Sequence, residues 1–296
     1  MTREEFTQKY GKVLVPVLTP YDENEEVNYE AYAQLIHYLI ETGSCDSVIV
    51  TGTTGEASLL TFDERVKLME TALKAADGRV PVIAGTGCAS TKETIALTKE
   101  AEKLGIELAM VVCPFYNKPT MDGVYTHFKA VAESTTCKIM LYNIPIFVGI
   151  NMEAEVVHEL AKIDNIIGIK DEAGVNPTQV TDFLLATRDV NPEFVVFNGD
   201  DIMLLPTIIR VPWVLSPEAL ISSGKRFVKY SKPSRRDETR MPKTASNRCI
   251  ASASPAGKTE ESSRTPSLDL LWKKSQVSRS VLAAALWLPL QKRNWK

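Results

Sequence analysis

The sequence predicts an α/β fold, a TIM-type (β/α)8 barrel, on three observations. Short apolar runs recur about every 30 residues, roughly the length of one strand–helix–strand unit. Segments with apolar residues at helical spacing fill the intervals between them. The stretches just after the apolar runs are polar and carry Gly, Thr, Tyr and Asn, as expected of the loops at the catalytic face of a barrel. Seven successive units favour a barrel over a doubly wound sheet.

The elements follow in order. Residues 13–18 form an apolar run ended by Thr19-Pro20, a strand and a breaker. Residues 29–42 place Tyr32, Leu35, Ile36, Leu39 and Ile40 on one helical face, with Gly43 as the stop. A strand over 47–50 leads into Thr51-Gly52-Thr53-Thr54-Gly55-Glu56. The next helix runs to residue 76, with Thr61 as N-cap and Glu64 three residues on, a capping box. Strands at 81–84 and 108–112 flank a helix that Ser90 caps, again with a glutamate, Glu93, in box position. Helices near 121–134 and 152–162 flank the strand 138–142. The strands 166–170 and 194–198 enclose a helix near 178–187, and a short helix is expected over 202–209.

Composition narrows the class of protein. Apolar content of 44% and charge of 24% describe an ordinary globular chain. The longest apolar runs are strand-sized, so no membrane span is expected, and the polar first eleven residues contain no secretory core. Five cysteines without CxxC spacing point to reduced thiols in a cytoplasmic protein, and to neither a disulfide framework nor a zinc site. His37, His127 and His158 lie in helical patterns, as surface or packing residues rather than metal ligands.

Chemistry concentrates on a few loop and strand-end residues. In 166–174, Ile166, Ile167 and Ile169 predict a strand buried on both faces, and Lys170 stands at its end. A lysine there either snorkels to water or is kept for use, because burial makes the neutral amine needed for Schiff-base chemistry accessible. The stretch 52–56 has N–H groups suited to a carboxylate or phosphate, but no Gly-Lys-Ser/Thr ending that would make it a P-loop. Tyr116 and Tyr142 follow strands, as amphipathic rim residues or as proton carriers for an imine.

Together these residues resemble the dihydrodipicolinate synthase/N-acetylneuraminate lyase family of pyruvate-dependent class I aldolases. GTTGE at 52–56, PFYNKP at 114–119, LYNIP at 141–145, IGIKD at 167–171 and NGDD at 198–201 match its signature stretches in order. The resemblance implies a lyase that needs no metal or organic cofactor and acts on a small oxo acid and an aldehyde. Lys170 takes the part of the Schiff-base lysine for pyruvate, and Tyr142 that of the tyrosine that moves protons at the imine carbon. Thr53 links Tyr142 to Tyr116, which in this family reaches in from a neighbouring subunit of a homotetramer. Thr54 and Gly199 fall at substrate-binding positions. One departure bears on substrate: after LYNIP the lysine-pathway synthases place an arginine, where this sequence has Phe147. An apolar ring replaces a carboxylate clamp, which favours a 2-keto-3-deoxy sugar acid or an apolar aldehyde over aspartate semialdehyde.

The resemblance ends at Ile209. Residues 210–296 hold 18 Lys/Arg and 6 Asp/Glu, a net of +12; taken from the chain's -3, this leaves residues 1–209 at -15. All four tryptophans lie in the same tail. Pro212 and Pro217 argue against a central strand there. Residues 210–230, back-translated with suitable synonymous codons and read one base earlier, spell GAMGVVSGGAHLIGEEIREIF, a family-like eighth strand followed by an amphipathic helix. We therefore expect a barrel portion over 1–209 and a frameshifted, largely disordered tail over 210–296, which would deprive the barrel of its eighth strand and C-terminal helices.

Two other functions are compatible with parts of the sequence. One is a non-catalytic barrel that binds oxo acids. The other is nucleic-acid binding by the basic tail, against which stands its lack of aromatic–basic interleaving or a known module. Sequencing the coding DNA around codon 210 checks the frameshift: an altered base count is expected, and a clean read in the present frame would refute it.

Overall fold

The structure is a computed structural model that describes residues 1–174, 176–203 and 207. Its seven strands form one sheet: β1 (Leu14–Pro16), β2 (Ser47–Val50), β3 (Val82–Gly85), β4 (Leu108–Val112), β5 (Lys138–Asn143), β6 (Ile166–Asp171) and β7 (Val195–Asn198). All neighbours pair in parallel and in chain order. That is the curled sheet of a (β/α)8 barrel, as expected. The expected loss of the eighth strand, the tail 210–296 and most of the helix expected at 202–209 fall outside the described residues. Asp201–Met203 forms a 3-10 turn.

The helices that follow the strands pack as a consecutive outer layer: α2 (Tyr29–Glu41), α3 (Phe62–Ala76), α4 (Thr91–Lys103), α5 (Met121–Glu133), α7 (Ala154–Leu160) and α8 (Gln179–Thr187). The capping box at α3 forms: the Thr61 hydroxyl accepts from the Glu64 N–H, and the Thr61 N–H donates to the Glu64 carboxylate. One apolar cluster joins β1–β3 to α2–α4 through residues such as Val48, Val82 and Leu97. A second runs from Leu14, Ile49 and Ile83 through β4–β7 to α5, α7 and α8. Because both faces of the strands are covered, their residues are buried almost throughout and show no polar alternation.

Two elements depart from the sequence expectation. A four-residue helix, α6 (Pro145–Val148), follows β5 in a stretch to which the sequence assigned no helix. More consequential is α1 (Arg3–Tyr10), in a stretch expected only to be polar. Its apolar content is two side chains one helical turn apart, Phe6 and Tyr10, and both are fully buried. Phe6 meets the Phe197 ring of β7 edge-on, with centroids 5.2 Å apart. The Arg3 guanidinium donates to the Phe194 carbonyl, and the Tyr10 carbonyl accepts from the Ser47 hydroxyl of β2. Helix α1 thus spans from the β1–β2 side of the sheet to β7 and plugs the barrel interior.

The register between β5 and β6 contains one irregularity. Ile139 pairs with Ile166, but Met140 pairs with Gly168, so β6 carries one extra residue. A one-residue slip exchanges the faces of a strand. In the shifted register Tyr142 stands beside Lys170, and Asn143 beside Asp171.

Truncating Phe6 tests the plug. Phe6→Ala should lower the unfolding free energy by about 3–5 kcal/mol, read from urea midpoints at unchanged slope. A loss under about 1 kcal/mol would show that α1 is an ornament of the barrel rather than part of its core.

Candidate active site

The β5–β6 pair assembles the site. Lys170 is 2% exposed, and its amine lies 3.4 Å from the Tyr142 hydroxyl and 4.4 Å from the centroid of the Tyr142 ring. A buried ammonium needs a compensating charge. Glu172 supplies it, with Oε2 at 3.1 Å from the Lys170 amine. The same oxygen accepts a 2.5 Å hydrogen bond from the Tyr142 phenol. One carboxylate oxygen therefore faces both the amine and the phenol.

The backbone around this triad leaves little freedom. The Glu172 N–H donates to the Asn143 carbonyl at 2.8 Å, continuing the β5–β6 ladder past the named strands. The Gly199 N–H, at the end of β7, donates to the Asp171 carbonyl at 2.8 Å. A Cβ on Gly199 would stand 2.5 Å from Lys170 Cε and 2.7 Å from Glu172 Oε2. Glycine at 199 is thus what lets Lys170 and Glu172 keep their positions.

On the opposite face a polar network locks the same strand ends. Asp171 accepts from Asn143 Nδ2 at 2.8 Å and from Gln179 Nε2 at 2.9 Å, and Asn151 bonds to both amides. Burial raises the Asp171 carboxyl to about 6, against the pull of these donors. Asn143 and Asp171 are the outward neighbours of Tyr142 and Lys170, so this network holds the inward pair in register.

A cavity of about 370 Å³ opens at the strand ends next to this cluster. Tyr142 lines it, with Thr53 and Gly52 from the loop after β2 and an apolar side made by Phe115, Ile144 and Phe147. Lys170 is not part of the lining and sits one side chain behind Tyr142. Arg65 also lines the cavity, but its guanidinium is committed to the Gly85 and Gly87 carbonyls and the Cys88 thiol.

The structure brings only some of the expected site residues together. Lys170, Tyr142 and Gly199 converge, and Thr53 shares the cavity with Tyr142. Thr54 is buried and is not among the cavity's lining residues. Tyr116 is 91% exposed, in the left-handed region at φ 74°, and neither tyrosine hydrogen-bonds Thr53 among the described residues. Within one chain the Tyr142–Thr53–Tyr116 chain of bonds is not formed, because the Tyr142 phenol donates to Glu172 and Tyr116 is exposed. The stretch 52–56 turns back on itself: the N–H groups of Gly55 and Ala57 bond to the Gly52 carbonyl, and that of Glu56 to the Thr53 carbonyl. Helix α3 starts only at Phe62, so its N-terminus is not what this loop offers an anion. Glu172 was missed from sequence, where a glutamate two residues past a strand-end lysine looks like an ordinary solvated loop residue. The signal that could have found it is the i,i+2 spacing, which sends both side chains to the same side of an extended chain.

Among the described residues no cluster of His, Cys, Asp and Glu is arranged to hold a metal ion, and no helix is long and apolar enough to cross a membrane. The histidines pack or sit at the surface. Burial lowers His127 to about 4, and His158 bonds the Ala186 carbonyl. Cys45, Cys88, Cys113 and Cys137 are all free and buried.

Comparison with known proteins finds relatives in family and in fold. The profile of the dihydrodipicolinate synthetase family matches residues 9–210. A 4-hydroxy-tetrahydrodipicolinate synthase of Oceanobacillus iheyensis is 46% identical over 199 residues, covering 67% of this chain and 66% of its own. The chain thus spans about two thirds of the length of that curated relative. The crystal structure of a dihydrodipicolinate synthase from Bacillus anthracis superposes with a TM-score of 0.70 at 37% identity, covering 75% of this chain and 74% of that one. A chloride-inhibited dihydrodipicolinate synthase from Acinetobacter baumannii, solved in complex with pyruvate, gives 0.66 at 34% identity over 72% of each chain.

Gly199→Ala separates the site from the fold. The added methyl collides with side-chain atoms of Lys170 and Glu172, Glu172 Cβ among them, rather than with backbone. The variant should keep its circular dichroism and melting temperature within a few degrees, a loss on the order of 1 kcal/mol. It should lose most of whatever reactivity Lys170 has. Full reactivity in Gly199→Ala would mean that the amine does not need its present position.

Proposed function

Given that the chain belongs to the dihydrodipicolinate synthetase family, we propose that it is a lyase of the 4-hydroxy-tetrahydrodipicolinate synthase type. In this proposal Lys170 forms a Schiff base with pyruvate, which then condenses with an aldehyde or is released from one by carbon–carbon cleavage. The observation that carries the reading is the buried Lys170 amine 3.4 Å from the Tyr142 hydroxyl at the edge of the strand-end cavity. The pyruvate held by the Acinetobacter baumannii neighbour supports the choice of oxo acid.

The chemistry asks little of the protein beyond these groups. The amine adds to the ketone carbon, and loss of water leaves an iminium. The iminium draws electrons from the adjacent methyl, so a proton leaves and an enamine forms as the carbon nucleophile. Tyr142 is the proton carrier at the imine carbon. Thr54 and Gly199 belong to the part of the site that receives the pyruvate carboxylate. Thr53 and Tyr116 form the outer arm of the relay, with Tyr116 serving the site of a second copy of the chain. Its 91% exposure, together with that of the apolar residues Leu59, Ile146 and Phe147, supports such an assembly. No metal or organic cofactor enters the reaction. The free cysteines among the described residues, Cys45, Cys88, Cys113 and Cys137, support a reducing, cytoplasmic setting.

A second reading concerns the acceptor. Phe147 lines the cavity beside Ile144 and Phe115, and Arg65 is engaged with backbone carbonyls. That wall favours cleavage of a 2-keto-3-deoxy sugar acid, or condensation with an apolar aldehyde, over an acceptor whose carboxylate must be clamped at this point.

Reductive trapping tests the proposal and separates it from an oxo-acid-binding barrel without catalysis. Borohydride added to the full chain with pyruvate should leave a stable adduct that peptide mass analysis locates on Lys170. Lys170→Met should abolish the adduct, and Tyr142→Phe should slow its formation by about 10²-fold or more. Folded protein that binds pyruvate without any adduct would sink the enzyme reading.

A further inference from the structure

We propose that Glu172 is a catalytic residue of the imine-forming step. It accepts the proton that Lys170 must lose before it attacks and returns it to the hydroxyl that leaves as water. The inference rests on the Schiff-base reading above and extends it to a residue that neither the motifs nor the sequence pattern singled out.

Geometry makes the case. Glu172 Oε2 lies 3.1 Å from the Lys170 amine, the atom that reacts, and 2.5 Å from the Tyr142 phenol. The amine itself is 3.4 Å from that phenol, which closes a triangle of three proton-bearing groups within direct transfer distance. The carboxylate is not an adaptable surface group. Its backbone is tied to the β5 end through the Asn143 carbonyl, its side chain is almost wholly buried, and Gly199 leaves room for it where any larger residue would collide. A strand-end carboxylate buried against the one buried lysine of the described residues has a cost in desolvation that mutual pairing offsets only in part. Such a pair is a device for holding a proton as readily as a brace for the fold.

The steps balance without any further reactant. The Lys170 ammonium gives one proton to the Glu172 carboxylate, leaving a neutral amine and a carboxylic acid. The nitrogen lone pair forms the carbon–nitrogen bond to the pyruvate ketone carbon, and the carbonyl π pair moves to oxygen. One proton passes from the nitrogen to that oxygen through the Tyr142 phenol, giving the neutral carbinolamine. Glu172 then returns its proton to the carbinolamine hydroxyl. The carbon–oxygen bond breaks as water leaves, and the nitrogen lone pair completes the protonated imine. Of the three protons on the starting ammonium, two depart in the water and one stays on nitrogen. Glu172 ends as the carboxylate it began as.

The test is the rate at which borohydride-trappable adduct accumulates on the full-length chain with pyruvate. Glu172→Gln keeps the shape and hydrogen bonding but not the basicity, and should slow adduct formation by about 10²-fold or more. Glu172→Ala should be slowed similarly, and added formate should restore its rate in a saturable way by at least ~10-fold. A merely structural glutamate would show no such rescue. Should the Gln and Ala variants fail to fold by circular dichroism, Glu172→Asp carries the test: it keeps the charge but withdraws it by one carbon–carbon bond, and slowed trapping is expected. Wild-type trapping rates in any folded Gln, Ala or Asp variant would overturn the inference while leaving the Schiff-base reading intact. No adduct in the unsubstituted chain would overturn that reading, and this one with it.

Discussion

The register between β5 and β6 is the constraint on which the rest of the site depends. One extra residue in β6 turns Lys170, rather than Ile169, toward Tyr142. Without that shift the strand would present its isoleucines inward and its lysine to the helix layer, with the same sequence and no chemistry. The outward pair makes the register costly to lose. Asn143 and Asp171 are bonded to each other and, through Asn151 and Gln179, to the loop before α7 and to α8. Slipping by one residue would break these buried bonds at about 1–3 kcal/mol for each group left unpaired. A polar network on the back of the sheet thereby positions the Tyr142–Lys170 pair on the front.

The plug formed by α1 serves the other end of the same strands. Parallel strands bury both faces, so their interior must be filled at the end away from the loops. Phe6 and Tyr10 do this from outside the repeating units, and Phe6 meets edge-on the ring of Phe197, the register partner of Lys170 on β7. Helix α1 is thus packed against β7 at the residue that pairs with Lys170 of β6.

Much of this was legible in the sequence, and the parts that were not share a cause. Strand positions followed from apolar runs, and Ser47–Val50 was bounded to the residue. Lys170 and Tyr142 could be marked because each breaks or ends such a run. Helix α1 escaped because its signal is two apolar residues in a charged stretch, and its burial comes entirely from partners up to some 190 positions away, such as Phe194. The shift in β6 escaped because Ile166, Ile167 and Ile169 look alike from either face. Glu172 escaped because local pattern cannot distinguish a buried carboxylate from a solvated one when its partners are Lys170 and a tyrosine on another strand. Tertiary pairing decided each case, and nothing local encodes it. Tyr116 shows the reverse: its place in an exposed loop was readable, but a single chain does not carry it to Tyr142.

The charge state of the triad also bears on how a carboxylate-bearing substrate could approach. At rest the ammonium and Glu172 cancel each other, and separating them by removing one partner would cost roughly 3–5 kcal/mol. A pyruvate carboxylate arriving beside a buried glutamate would meet like charge in a poorly solvated place. Transfer of the Lys170 proton to Glu172 removes both charges at once. The amine becomes a nucleophile at the moment the glutamate ceases to repel the substrate, and the cost of the neutral pair is lower in a dry site than in water because no ion is left unsolvated. In the proposed mechanism, activation of the amine and admission of the anion would be one proton movement over 3.1 Å. An alanine or threonine at 172 would leave the lysine to find its base elsewhere, and this site would then need the outer relay that a lone chain does not assemble.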